Sequence, residues 1–167
     1  NCGPPQCNQA TVNLISGFES FRANIYTDAT SNSEIGYGHL CQNAKCPGLG
    51  YSIPLSEADG KKLLASDMAV AEKCITEMMN DKVTLNMNEY GALVSWAFNV
   101  GCGGVQSSTL VKRLNNGENP TVVLPAELVK WVDGNNGQVI PGLVKRRDAE
   151  IALSKTATSD PGLPPKC

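Results

Sequence analysis

Apolar positions along the chain change their period several times, and each change marks an element. From about Ala10, Leu14, Ile15, Phe18 and Phe21 recur at helical spacing behind Asn8, whose side chain suits an N-cap. From Ile25 to Leu40 that period breaks. Tyr26 and Ile35 flank a polar run from Asp28 to Ser33, which predicts a β-hairpin. Cys41 to Pro54 is a Gly- and Pro-rich loop. Ser56 then predicts the cap of a long helix, with Glu57 and Asp59 complementing the dipole of its first turn and Leu64, Met68, Ala71, Ile75 and Met78 forming its buried stripe.

Asn86 predicts the next cap. Behind it Tyr90, Leu93, Val94, Trp96, Ala97, Phe98 and Val100 are apolar nearly all round, the pattern of a buried central helix that Gly101, Gly103 and Gly104 terminate. Shorter helices are expected from about Ser108 to Asn115, from Asn119-Pro120 to about Val132 with an interruption at Pro125, and from Pro141-Gly142 to about Lys155. Residues 1–9 and 156–167 read as tails. The expected class is α+β, one small N-terminal hairpin or sheet and then helices only, in a single domain over residues 1–167.

Composition narrows the function classes. With 41% hydrophobic residues the chain can build a real core, and a net charge of −2 provides no basic field for nucleic acid. No apolar run approaches the ~18 residues of a membrane span. The start, Asn1-Cys2-Gly3-Pro4-Pro5, lacks the charged-then-apolar pattern of a signal peptide and reads as a mature or trimmed terminus. Seven cysteines without a Cys-x-x-Cys, beside a single histidine, argue against a metal site and for disulfides in a secreted protein. The expected pairs are Cys41–Cys46 across a short loop, Cys74–Cys102 between two helices and Cys2–Cys167 between the tails, leaving Cys7. The rival pairing is Cys2–Cys7 with Cys167 left over.

Candidate chemistry is concentrated between Phe18 and His39, which hold Glu19, Asp28, Glu34 and the only histidine. Glu19 falls near the end of the first helix at the edge of its buried face, where the dipole and partial burial favour the protonated acid. Asp28 falls in a polar loop that keeps it ionised. One protonated and one ionised carboxyl are what glycoside hydrolysis requires. Gly36 and Gly38, alternating with Tyr37 and His39, mark a close approach by a ligand or another backbone. Tyr37 is a candidate to stack on a sugar, with hairpin packing as the equal alternative.

These residues carry a resemblance. Phe18-Glu19-x-Phe21, Tyr26-x-Asp28 and Ile35-Gly36-Tyr37-Gly38-His39 resemble the phage-type lysozymes of glycoside hydrolase family 24. So do Leu55-Ser56-Glu57-Ala58 with Leu63, Leu64 and Asp67, the run Tyr90-Gly91-Ala92-Leu93-Val94-Ser95-Trp96-Ala97-Phe98-Asn99-Val100-Gly101, and Pro141-Gly142-Leu143-Val144-Lys145-Arg146-Arg147-Asp148-Ala149-Glu150. The cysteines are more similar to those of secreted, disulfide-bonded fungal members. The resemblance implies a lysozyme-like fold with a cleft between two lobes. It implies cleavage of the β-1,4 bond between N-acetylmuramic acid and N-acetylglucosamine in peptidoglycan. Glu19 would be the general acid and Asp28 its water-handling partner. Asn99 and Gly101 would reach the substrate, His39 would pair with Asp67 as a brace, and Arg146 or Arg147 would orient Glu19. Glycan strands of peptidoglycan are the expected partner of a monomer, without metal, cofactor, nucleic acid or membrane.

One position departs from the family. Fifteen residues after Glu19, where the family usually carries Thr, this chain has Glu34. The expectation is that Glu34 joins Asp28 in catalysis. Rival readings are a retaining, transglycosylating enzyme, a chitinase-like hexosaminidase, and a non-catalytic polysaccharide-binding protein on the same scaffold.

Overall fold

The computed structural model describes residues 2–28 and 30–167. They fall into two units, Ile15–Met68 and Asn1–Leu14 with Ala69–Cys167, so that the helices α1 (Gln9–Glu19) and α2 (Glu57–Met78) each contribute to both.

In the unit Ile15–Met68 the chain leaves α1 at Ser20, whose φ of 45° turns it into the strand β1 (Arg22–Thr27). Antiparallel strands β2 (Ser33–Gly36) and β3 (His39–Cys41) follow, giving a three-stranded sheet in the order β1-β2-β3, one strand more than the expected hairpin. Tyr26 pairs with Glu34 and Thr27 with Ser33, which fixes which side chains share a face. Ile35, Leu55, Leu63 and the Cys41–Cys46 disulfide form the core, with Phe21, Ile25, Leu49 and Tyr51 packed against it. Phe18, expected on the buried stripe of α1, is instead 38% exposed. The turn at Ser20 swings Phe21 into the core cluster, its ring 5.2 Å from that of Tyr37.

In the unit Asn1–Leu14 with Ala69–Cys167, the helix α3 (Met87–Val100) is buried from Asn88 to Ala97. Its first turn is closed by a capping box: Asn86 Oδ1 accepts from the Glu89 N–H at 2.8 Å and Glu89 Oε1 accepts from the Asn86 N–H at 2.9 Å. Trp96, fully buried, meets Trp131 edge to face at 5.3 Å. Around α3 lie the helices α4 (Cys102–Gln106), α5 (Thr109–Asn115), α6 (Pro120–Leu128) and α7 (Pro141–Lys155). The glycines after α3 end it as expected, but the chain re-enters a helix at once in α4, where Cys102 is bonded to Cys74 of α2. The helix begun at Asn119 stops at Leu128, short of Val132.

The expectation of helices only after the first sheet is corrected by a second, two-stranded sheet. Strand β4 (Leu85–Asn86) pairs with β5 (Pro161–Leu163), part of what the sequence offered as a disulfide-tied tail without secondary structure. Gly162 permits this pairing, because a Cβ there would stand 2.7 Å from the Asn86 carbonyl oxygen, and Leu163 is buried beside it. The Cys2–Cys167 disulfide ties the same tail to the N-terminus. Cys7 is the free cysteine, so the rival Cys2–Cys7 pairing is not formed. Burial, and then the Glu72 carboxylate, push the Cys7 thiol far above its ordinary value and keep it protonated. Among the described residues no helix is long and apolar enough to cross a membrane.

The contact of α1 with α3 depends on one missing side chain. An added Cβ at Gly91 would come within 1.9 Å of Thr11 Oγ1, on a Thr11 that is itself fully buried and hydrogen-bonded to Asn8. Gly91→Ala is therefore expected to destabilise the fold by about 1–3 kcal/mol in denaturant unfolding. Thr11→Ala should recover part of that loss in the double variant, a non-additivity of about 0.5 kcal/mol or more.

Candidate active site

The three carboxylates named from the sequence lie on or beside the small sheet. Glu19 is the last residue of α1 and half-buried. Its carboxylate presses on the turn between β2 and β3, where Gly38 has a φ of 75° and a Cβ would stand only 2.8 Å from Glu19 Oε2. Of the two glycines seen in the sequence, Gly38 thus marks the approach of a carboxylate, while a Cβ at Gly36 would meet the Leu55 side chain at 3.1 Å. A side chain at Gly38 would strain the backbone and displace Glu19 together.

Asp28 follows β1 directly and opens the turn into β2. Ala29 of that turn lies outside the described residues. Asp28 Oδ1 accepts three hydrogen bonds, from the Thr30 N–H at 2.8 Å, the Thr30 hydroxyl at 2.8 Å and the Asn32 N–H at 2.9 Å. The backbone closes the same turn, with the Asp28 N–H donating to the Asn32 carbonyl at 2.8 Å. These bonds, the Asn32 N–H foremost and the Thr30 hydroxyl next, hold the Asp28 carboxyl below its ordinary value. Asp28 is therefore an ionised acceptor with one oxygen anchored.

Glu34 sits on β2 directly opposite Tyr26 of β1, and the Tyr26 hydroxyl donates to Glu34 Oε2. Tyr26 stood in the sequence only as a strand residue and a motif position, not as a site candidate, and the Thr30 anchor of Asp28 was not singled out. The signal for Tyr26 was its place two residues before Asp28 and on the same side of the strand. His39 Nδ1 lies 2.9 Å from Asp67 Oδ2 and 3.0 Å from Oδ1, joining β3 to α2. Tyr37 is only 7% exposed and packs on Phe21, the hairpin-packing alternative rather than a sugar platform.

The remaining candidates lie in the other unit. Asn99 is exposed near the end of α3, and Gly101 ends that helix with a φ of 85°, its N–H donating to the Ala97 carbonyl. Arg147 Nη2 donates to Asn99 Oδ1 at 2.9 Å and Nη1 to the Trp131 carbonyl at 3.1 Å. Because a guanidinium only donates, it turns the Asn99 amide so that Nδ2 faces away as a donor. Arg147 Nε and Glu150 Oε1 stand 2.7 Å apart as an ion pair outside hydrogen-bonding geometry. Arg146 donates to the Ser95 carbonyl at 3.1 Å, and the Ser95 hydroxyl donates to Glu150 Oε2 at 2.6 Å. Glu150 is fully buried; the sequence offered it only as the last residue of the C-terminal motif, with no role assigned, although its spacing of three and four residues from the two arginines places it on their helix face. Asn99, Lys130, Trp131, Asp133 and Asn135 line an open depression of about 600 Å³ in this unit.

A small antiparallel sheet beside a long helix, followed by a helical unit built on one buried helix, is the lysozyme fold. The structure of a P22 lysozyme mutant matches 90% or more of both chains, 91% of this one and 99% of that one, with a TM-score of 0.75 at 26% identity. The chain belongs to the phage lysozyme family, whose model matches residues 16–150. The endolysin of Acyrthosiphon pisum secondary endosymbiont phage 1 is 33% identical over 149 residues, 86% of this chain and 94% of that protein. The endolysin of Bacillus phage B103 is 34% identical over 154 residues, 91% of this chain and 55% of that protein. The chain thus spans about half the length of the Bacillus-phage relatives it matches.

The anchoring of Asp28 is measurable. In a carboxyl NMR titration Asp28 should titrate below the ordinary aspartate value, and Thr30→Val should move it upward. An Asp28 titration indifferent to Thr30→Val would show that the turn does not hold the carboxylate.

Proposed function

We propose that the protein is an endo-acting muramidase of glycoside hydrolase family 24 that hydrolyses the β-1,4 bond between N-acetylmuramic acid and N-acetylglucosamine in bacterial peptidoglycan. The observation that carries this reading is the seating of the Glu19 carboxylate on Gly38, at the turn that joins the strand of Glu34 to that of His39. An acid held on a glycine backbone and two carboxylates on the adjoining hairpin are the parts that glycosidic cleavage requires. Membership of the phage lysozyme family supports the same chemistry.

In the proposed reaction Glu19 gives its proton to the bridging oxygen as the bond to the anomeric carbon breaks. Asp28, with Glu34, orients a water and takes its proton as the water oxygen bonds to that carbon. The tethering of Asp28 through one oxygen supports a role as base, since it fixes the direction of the other. Asn99, with its amide turned by Arg147, supplies a donor for the sugar hydroxyls or acetamido group. Gly101 leaves the end of that helix open to the glycan. His39 and Asp67 hold the sheet on α2 and take no part in proton transfer. Three disulfides support action outside the cytoplasm as a secreted enzyme, with no metal or cofactor in the reaction.

Digestion of purified peptidoglycan and of chitin, side by side, tests the reading. The enzyme should release soluble fragments from peptidoglycan whose new reducing ends, after borohydride reduction, are muramic acid. Glu19→Gln should lower that rate by about 10²–10⁴ while leaving the melting temperature unchanged. New ends of N-acetylglucosamine, or equal attack on chitin, would assign a different hexosaminidase. Binding to insoluble polysaccharide without turnover would assign a binding protein.

A further inference from the structure

The register of β1 and β2 sets Tyr26 directly across from Glu34, and facing residues of an antiparallel pair project to the same side of the sheet. The Tyr26 phenol donates a hydrogen bond to Glu34 Oε2. Among the described residues it is the one hydrogen-bond partner of that carboxylate. The Arg22 guanidinium lies over the ring, 4.6 Å from its centroid. A cation over the ring face restrains the phenol at an otherwise exposed strand.

Asp28 and Glu34 are thus held in the same way by different means. Asp28 is anchored through Oδ1 by the turn, and Glu34 through Oε2 by Tyr26; among the described residues Glu34 Oε1 takes no hydrogen bond and is left to accept from a third body. A glutamate has three rotatable bonds, and ordering such a side chain costs conformational entropy. A base that must meet one water in one direction loses rate when it wanders among rotamers. The hydrogen bond from Tyr26 removes that freedom. The groups facing Tyr26 are Glu34 on β2, Arg22 on its own strand and Asp28 at the turn. The bond to Glu34, before burial and the Glu34 charge, pushes the phenol above its ordinary value, so Tyr26 stays a neutral donor at any pH where a carboxylate could serve as base.

We propose that Tyr26, braced by Arg22, is the positioning residue of Glu34: it fixes one oxygen of the carboxylate so that the other is aimed at the attacking water. Tyr26 touches neither the water nor the sugar. The inference rests on Glu34 acting in the reaction, and the experiment keeps the two claims apart.

The experiment measures kcat, KM and melting temperature for Tyr26→Phe, Glu34→Gln and the double variant on one soluble glycan-strand substrate. Tyr26→Phe should lower kcat by about tenfold, with KM within about twofold and melting within a few degrees, because only the aim of the base is lost. Added to Glu34→Gln, Tyr26→Phe should cost less than about twofold more, since it has no carboxylate left to aim. Arg22→Gln should lower kcat by about two- to fivefold, and by nothing in the Tyr26→Phe background. Wild-type kcat in Tyr26→Phe beside an impaired Glu34→Gln would overturn this inference alone. A tenfold loss repeated in the Glu34→Gln background would do the same, showing that Tyr26 acts elsewhere. Wild-type kcat in Glu34→Gln would remove Glu34 from the reaction and this inference with it. A loss confined to melting temperature would make the pair a strand fastener.

Discussion

The pairing of β1 with β2 is the constraint on which the candidate chemistry depends. In a two-stranded register every second side chain shares a face, so a slip of one residue would move Glu34 to the opposite side of the sheet and part it from Tyr26. The turn between the strands is equally particular. Its closing bond from the Asp28 N–H to Asn32 and the three bonds onto Asp28 Oδ1 make the proposed base also the hinge of the turn. The interactions that set the register therefore also orient the carboxylates. Because the register is pinned below by Ile35 and the Cys41–Cys46 loop in the core, the solvent-facing side of the hairpin can carry polar groups without losing its alignment.

The second unit solves a different problem, the burial of charge. Glu150, with no exposed surface, meets Arg146 and Arg147 and the Ser95 hydroxyl. Burial works against charge on both sides, pushing the Glu150 carboxyl up and the Arg147 guanidinium down, and the pairing offsets it. Removing one partner of such a group leaves the other buried and uncompensated, at a cost of about 3–5 kcal/mol. That cost locks α7 to α3 in a single arrangement. One outcome of the lock lies at the surface, where Arg147 turns the Asn99 amide.

Much of this was legible in the residues, for reasons that can be named. The all-apolar run behind Asn86 announced the buried helix, because no polar face remained for solvent, and Asn86 itself marked its start. Glu19 and Asp28 stood out through a motif dense in chemistry, and His39 with Asp67 through the same resemblance. Other features depend on partners far apart in the chain, which periodicity does not report. The strand Pro161–Leu163 forms because Gly162 can lie against Asn86, seventy-odd residues earlier, and because a disulfide holds the tail. Phe18 loses its place in the core to Phe21 through one left-handed residue, Ser20. Tyr26 looked like an ordinary strand aromatic until its register partner was known.

The proposal that Asp28 and Glu34 together direct a water at the anomeric carbon is tested most directly by the configuration of the product at the moment it forms. Proton NMR of a defined glycan-strand substrate, recorded before mutarotation, should show the α-anomer of N-acetylmuramic acid first, the inverted product of direct attack by water. Appearance of the β-anomer first would mean that a carboxylate, not water, bonds to the sugar, and would contradict the assignment of Glu34 as a base.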